Sequence, residues 1–188
     1  MRLFTAIDVT DEAKLAIASE QKRIGAGLGA AASALKWVQP AHMHLTLAFL
    51  GEVDEARSVL VADAMRQPVA VGRFEMVFKQ LGAFPPQGAP RTLWLGVDQG
   101  AAEVIDVERE VTQRLNRLGC ALERRAFHPH LTLARWRDGR GLDRRRVLAL
   151  DRGAAIVRVD VARVSLYQSR LSSAGPQYTL LTHAELEA

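Results

Sequence analysis

The chain holds a single cysteine, Cys120, in 188 residues. One thiol cannot close an internal disulfide, and it excludes any zinc site built from several cysteines. Without a disulfide framework the expected setting is a reducing cytoplasm. No apolar run approaches the roughly 18 residues that a membrane-spanning helix requires. The opening Met1–Asp8 carries one basic residue and then an acid, with no long apolar stretch, so no secretory signal is expected. Lysine is scarce too: of 25 basic residues only Lys14, Lys22, Lys36 and Lys79 are lysines. The excess is arginine, whose planar guanidinium makes paired contacts with phosphate. Residues 124–146 hold eight arginines against Asp138 and Asp143, although the whole chain carries only +4. That cluster suits a polyanion; an arginine-rich solvated face would look the same. Hydrophobic residues at 48% and charged residues at 24% exclude extended disorder.

A coarse pass predicts alternating strands and helices. Residues 2–9 read as a strand. Thr10 or Asp11 caps a helix to about Ile24, with Gly25 as its stop. His44 to Leu50 alternates as a strand, and Asp54 caps a helix to about Arg66. Phe74, Met76 and Phe78 alternate on another strand, before a turn at Pro85-Pro86-Gln87-Gly88. Arg91 to Asp98 is a strand. Val104, Val107, Val111, Leu115 and Leu118 then mark one face of a helix that Gly119 ends. Phe127 to Trp136 contains a strand, and Asp143 caps a short helix through Leu150. Ile156 to Tyr167 reads as one long strand with a bulge near Ala162, where the apolar parity switches. Gln177 to Thr182 reads as a last strand. No linker or low-complexity segment interrupts the chain, so residues 1–188 read as a single domain.

One repeat organises the rest. His44-Leu45-Thr46-Leu47-Ala48 recurs identically as His130-Leu131-Thr132-Leu133-Ala134, 86 residues later. Each copy follows a strand and a helix at a similar offset. Two lobes of similar topology follow from that, each carrying one His-x-Thr strand, 44–46 and 130–132. Successive strand side chains point to opposite faces. His44 and Thr46 therefore share one face and the leucines the other, and the second copy behaves likewise. If the polar faces oppose each other, two imidazoles and two hydroxyls converge on a groove.

That set of groups fits displacement at phosphorus. One imidazole can take a proton from the entering oxygen, and the other can supply one to the leaving oxygen. Threonine hydroxyls can donate to the non-bridging oxygens, where charge accumulates. No metal and no covalent intermediate are needed.

The paired motifs resemble the two-histidine phosphoesterase superfamily. The stretches Met43–Val53 and Phe127–Arg135 are similar to its bacterial and archaeal branch, the RNA 2′,3′-cyclic phosphodiesterases, also called 2′-5′ RNA ligases. Arg2–Asp8 and Leu166–Ser169 are similar to that branch as well. The resemblance implies an α+β, bilobal fold: two intertwined pseudo-symmetric lobes, with antiparallel sheets flanking a central groove and helices outside. It implies hydrolysis of an RNA terminal 2′,3′-cyclic phosphate to a 2′-phosphomonoester, with reversible ligation a related activity. Under it His44 is the proton donor and His130 the proton acceptor, while Thr46, Thr132 and Arg135 bind the substrate phosphate. No cofactor and no obligate protein partner are implied. The expected partner is RNA with a cyclic phosphate end, met by a cytoplasmic monomer with no membrane attachment.

Rival readings of the same residues stay open. His42-x-His44 and His128-x-His130 could each share a strand face and hold a metal, which would make a metallohydrolase. The substrate could be a small cyclic-phosphate nucleotide, or the chain could only bind RNA ends. Arg135 lies five residues after His130, so strict alternation places it away from the groove unless the strand ends or bulges near Ala134. Phe49 holds the same place in the first lobe and reads as core. Trp94 also reads as core, and Trp136 reads as the better candidate for stacking on a base. Tyr167 and Ser169 share one strand face near the groove.

Overall fold

A computed structural model describes residues 1–122, 126–172 and 175–188, less the side chains of 141 and 142. Arg124 and Arg125 of the arginine-rich stretch lie outside the described residues. The chain forms two sheets of five strands. The first runs β3 (His44–Glu52), β1 (Arg2–Asp8), β9 (Arg163–Ser172), β10 (Gly175–Glu187) and β4 (Val69–Gly72). The second runs β2 (Leu35–Trp37), β7 (His130–Trp136), β6 (Thr92–Val97), β5 (Phe74–Phe84) and β8 (Val157–Val161). Among the described residues only β4 and β10 pair in parallel. The α+β architecture of two antiparallel-rich lobes thus matches the expectation, and β3 and β7 approach each other from opposite lobes.

The helices cross between lobes. α1 (Asp11–Leu28) follows β1 of the first sheet but packs on β8 and α4 (Gly141–Leu148). α3 (Ala101–Arg117) follows β6 of the second sheet but packs on β3, β4 and α2 (Glu55–Ala64). Val104, Val107, Val111 and Leu115 of α3 are fully buried. Each such side chain stabilises the fold by about 1.5–3 kcal/mol. Among the described residues no helix is long and apolar enough to cross a membrane.

Several expected boundaries moved. Thr10 caps α1 by accepting from the Ala13 N–H, as expected, but the helix passes Gly25 and ends at Leu28. Of the two internal glycines, Gly27 sits at a close contact and Gly25 at an ordinary one. A Cβ at Gly27 would lie 2.8 Å from a Leu150 methyl, and one at Gly25 would meet the Trp37 ring at 3.7 Å. Asp143 is inside α4, where its carboxylate accepts the Arg140 backbone N–H at 2.8 Å. The stretch 156–167 is two strands in different sheets, joined at Ala162. Its parity switch is a crossing: Val159 and Val161 are buried in one lobe, Val164 and Leu166 in the other.

A β-bulge sits at the same place in both repeats. In β7, Trp94 pairs with Thr132 but Leu93 pairs with Ala134, leaving Leu133 as the extra residue. In β3, Ala6 pairs with Thr46 but Thr5 pairs with Ala48, leaving Leu47 as the extra residue. In β7 the Leu133 carbonyl accepts from the Val38 N–H at 2.9 Å and from the buried Gln21 amide at 2.9 Å. Gln21 also donates to the Val38 carbonyl at 2.9 Å. Gln21→Leu should therefore cost about 1–3 kcal/mol in denaturant unfolding, since it removes a donor from the buried Leu133 carbonyl and the part-buried Val38 carbonyl.

Candidate active site

The two bulges decide which side chains face the groove. His130 pairs with Gly96, Thr132 with Trp94, and Arg135 with Thr92. Directly paired residues share a face. The extra residue in β7 thus returns Arg135 to the face of His130 and Thr132, the exception that alternation required. The Arg135 guanidinium reaches Thr92 Oγ1 at 3.4 Å. Its charge also opposes the burial that raises the Tyr178 hydroxyl on β10, in the other lobe. The same slip turns Trp136 inward: it is only 9% exposed and packs in the core. Trp136 is therefore not the stacking surface. Trp94, read as core, is half-buried on the groove face against His128 (ring centroids 4.7 Å apart) and Phe84 (5.1 Å). A Cβ at Gly82, its cross-strand neighbour, would fall 2.1 Å from the Trp94 ring.

In the first lobe the bulge sends Phe49 to the groove face beside Phe4, with ring centroids 6.0 Å apart. Phe49 is 53% exposed, which corrects its reading as core. Phe4 stacks on His44 at 4.9 Å and on Tyr167 at 5.3 Å, and Tyr178 meets the His44 ring edge-on at 5.4 Å. His44 thus lies between aromatic rings, and so does His130, which Phe84 meets edge-on at 5.0 Å with Trp94 at 6.0 Å and His128 at 6.4 Å.

Each motif histidine is held by the carbonyl two residues upstream. His130 Nδ1 is 2.6 Å from the His128 carbonyl, and the His44 ring bonds the His42 carbonyl. A carbonyl only accepts, so Nδ1 of His130 carries the proton in the neutral ring. Nε2 is then the nitrogen that exchanges a proton. His42 belongs to a 3₁₀ turn, Pro40–His42, and His128 precedes β7. Neither shares a strand with its partner histidine, against the shared face that a His-x-His metal pair needs. Among the described residues no three His, Cys, Asp or Glu side chains are grouped to hold a metal ion.

One feature breaks the symmetry of the lobes. Asp8 pairs directly with His44, at the place where Gly96 faces His130. The Asp8 carboxylate accepts from Ser165 Oγ at 2.5 Å and from Tyr167 Oη at 2.7 Å. Burial pushes His44 down to about 4, against the opposing pull of Asp8 and the His42 carbonyl. Burial, and the bond to Asp8, push the Tyr167 hydroxyl up to about 12, so it stays a donor. Asp8 went unrecognised as a site residue in the sequence reading. Its one signal was its parity with Phe4 and Ala6, a carboxylate closing an otherwise apolar strand.

Arg144 of α4 donates to the Pro85 carbonyl, while Arg145 and Arg146 are exposed. Part of the arginine cluster therefore ties down the β5–β6 connection, and part is a solvated face.

A family model described as the 2′-5′ RNA ligase superfamily matches residues 11–172. The chain belongs to that superfamily. The RNA 2′,3′-cyclic phosphodiesterase of Aeropyrum pernix is 36% identical over 78% of this chain and 84% of its own length. The protein of the same name from Thermotoga maritima is 34% identical over 100% of this chain and 96% of its own. Among solved structures, Escherichia coli LigT complexed with 3′-AMP superposes with a TM-score of 0.75 at 27% identity. That match covers 100% of this chain and 98% of LigT. This member of the superfamily is an enzyme, a phosphoesterase with the two-histidine fold.

Proposed function

We propose that the enzyme opens a 2′,3′-cyclic phosphate at the end of an RNA, leaving a 2′-phosphomonoester. The observation that carries this is the duplicated bulged strand, which presents His44 and Thr46 from one lobe and His130, Thr132 and Arg135 from the other. His130 takes a proton from water at Nε2 as the water oxygen attacks phosphorus. His44 protonates the 3′ oxygen as its bond to phosphorus breaks. Thr46, Thr132 and Arg135 bind the non-bridging oxygens as negative charge builds on them. Asp8 pairs with His44 and favours the charged form of its ring, which suits His44 to the donor role. The relatives' name, RNA 2′,3′-cyclic phosphodiesterase, agrees with this substrate. If the 5′ hydroxyl of a second RNA replaces water as the nucleophile, the same two proton transfers form a 2′-5′ phosphodiester and release the 3′ hydroxyl, which is the ligation; attack by the 3′ hydroxyl on that diester is its reverse.

A short RNA ending in a 2′,3′-cyclic phosphate should be hydrolysed in excess EDTA. Failure to turn over in EDTA, with activity restored by a divalent cation, would replace this reading by a metal-dependent one. The pH profile carries a second test. kcat/KM reports groups of the free enzyme and kcat those of the complex. In the free enzyme His44 titrates at about 4. The bound phosphate anion favours its charged form. The His44 limb should therefore lie near pH 4 in kcat/KM and at higher pH in kcat. Asp8→Asn should move that limb down in both profiles. Coincident limbs in kcat and kcat/KM would contradict the placement of His44 against the phosphate.

A further inference from the structure

Arg135 also lines a cavity of about 410 Å³, on the low side of the usual size for ligand pockets. Residues 89–91 of the β5–β6 connection form one wall and residues 135–139 the other. Three arginines, Arg91, Arg135 and Arg137, are among its lining residues, against one acidic residue, Asp138. Among the described residues, the Arg91 and Arg137 side chains make no hydrogen bond or ion pair.

The walls are held by backbone. Arg91 N–H donates to the Phe84 carbonyl at 2.7 Å, Trp136 N–H to Arg91 at 3.0 Å, and Arg137 N–H to Ala34 at 2.9 Å. Gly139 lies so close to Pro90 that a Cβ would fall 2.1 Å from its carbonyl oxygen. Arg144 fixes the loop from below, through Pro85. The pseudo-equivalent corner of the first lobe is different. There Glu52, in the place of Asp138, is matched by the Met1 amino group at 3.4 Å and by Arg2 at 3.9 Å. That corner is neutralised, whereas the second lobe keeps a surplus of positive charge beside the arginine of the reacting phosphate.

We infer that this pocket binds the internucleotide phosphate that precedes the terminal nucleotide, so that the enzyme prefers oligonucleotides to cyclic mononucleotides. The inference rests on the reading of the groove given under Proposed function. Arg135 is the shared wall: on one side it faces the cyclic phosphate, on the other the pocket. Arg91 and Arg137 supply the planar donors that a phosphodiester anion takes. A mononucleotide without a 5′ phosphate has nothing to place there.

The test compares a cyclic-ended oligoribonucleotide with the corresponding 2′,3′-cyclic mononucleotide, in the wild type and in Arg91→Ser/Arg137→Ser. The wild type should favour the oligonucleotide in kcat/KM. The double variant should lower that preference about tenfold, through KM and not kcat, as loss of a charged hydrogen bond predicts. The log–log salt dependence of kcat/KM for the oligonucleotide should fall by about 0.7, the value for one single-strand phosphate contact. An unchanged preference would overturn the pocket's role. An equal loss on both substrates would also overturn it, and would place the two arginines at the reacting phosphate. If the wild type hydrolyses neither substrate, the reading of the groove itself fails and takes this inference with it.

Discussion

His44→Ala and His130→Ala should each slow hydrolysis of a cyclic-ended RNA by roughly 10²–10⁴-fold, while KM changes far less. On the proposed mechanism the loss is in proton transfer, and Thr46, Thr132 and Arg135 are left to bind the phosphate in either variant. Neither change should unfold the chain, since both imidazoles line the groove on faces opposite the buried Leu45 and Leu131. The double variant should lose little more than the worse single variant, because the two transfers belong to one displacement and do not add independently. Steady-state kinetics with a short cyclic-ended RNA read this directly. Turnover near the wild-type rate in either single variant would remove that histidine from the mechanism.

The second large effect belongs to the threonines. Thr46→Val and Thr132→Val should each lower kcat by about 10²–10³-fold, the usual cost of one donor to a developing oxyanion. Valine keeps the β-branched shape that the strands favour, so the register and bulge of each strand should persist. Both hydroxyls sit immediately before a bulge, at the last regular position before the strand changes face. Their placement is therefore fixed by backbone geometry. Thermal unfolding should match the wild type within a few degrees while kcat falls. A change confined to KM would mean that the hydroxyls bind ground state and transition state alike.

Much of the fold can be read from the amino-acid order, since the duplicated pentapeptide marks the two lobes. The apolar spacing of Val104, Val107, Val111 and Leu115 marks the helix that fills the core of the first. The His-x-Thr alternation separates groove from core correctly up to Thr46 and Thr132. It fails immediately afterwards, and one cause accounts for the errors that follow. Alternation counts faces only while each residue opposes one partner, and a bulge inserts a residue that the count cannot see. Arg135 and Trp136 consequently exchange sides, as do Phe49 and its neighbours in the first lobe. Trp94 was misplaced for a different reason: the room for its ring comes from Gly82, on a neighbouring strand. The crossing at Ala162 has the same character. A parity switch in one stretch is the same signal for a bulge and for a change of sheet, and only the pairing partners distinguish the two. Asp8 matters through Ser165 and Tyr167, more than 150 residues away in sequence.

The most direct test of the two-histidine assignment is the identity of the product. A dinucleotide ending in a 2′,3′-cyclic phosphate can be followed by phosphorus NMR as the wild-type enzyme consumes it in EDTA. The account predicts the 2′-phosphomonoester alone, because the oxygen that leaves is the 3′ oxygen protonated by His44. A 3′-phosphomonoester would contradict the orientation of substrate between the two lobes, and with it the roles assigned to His44 and His130.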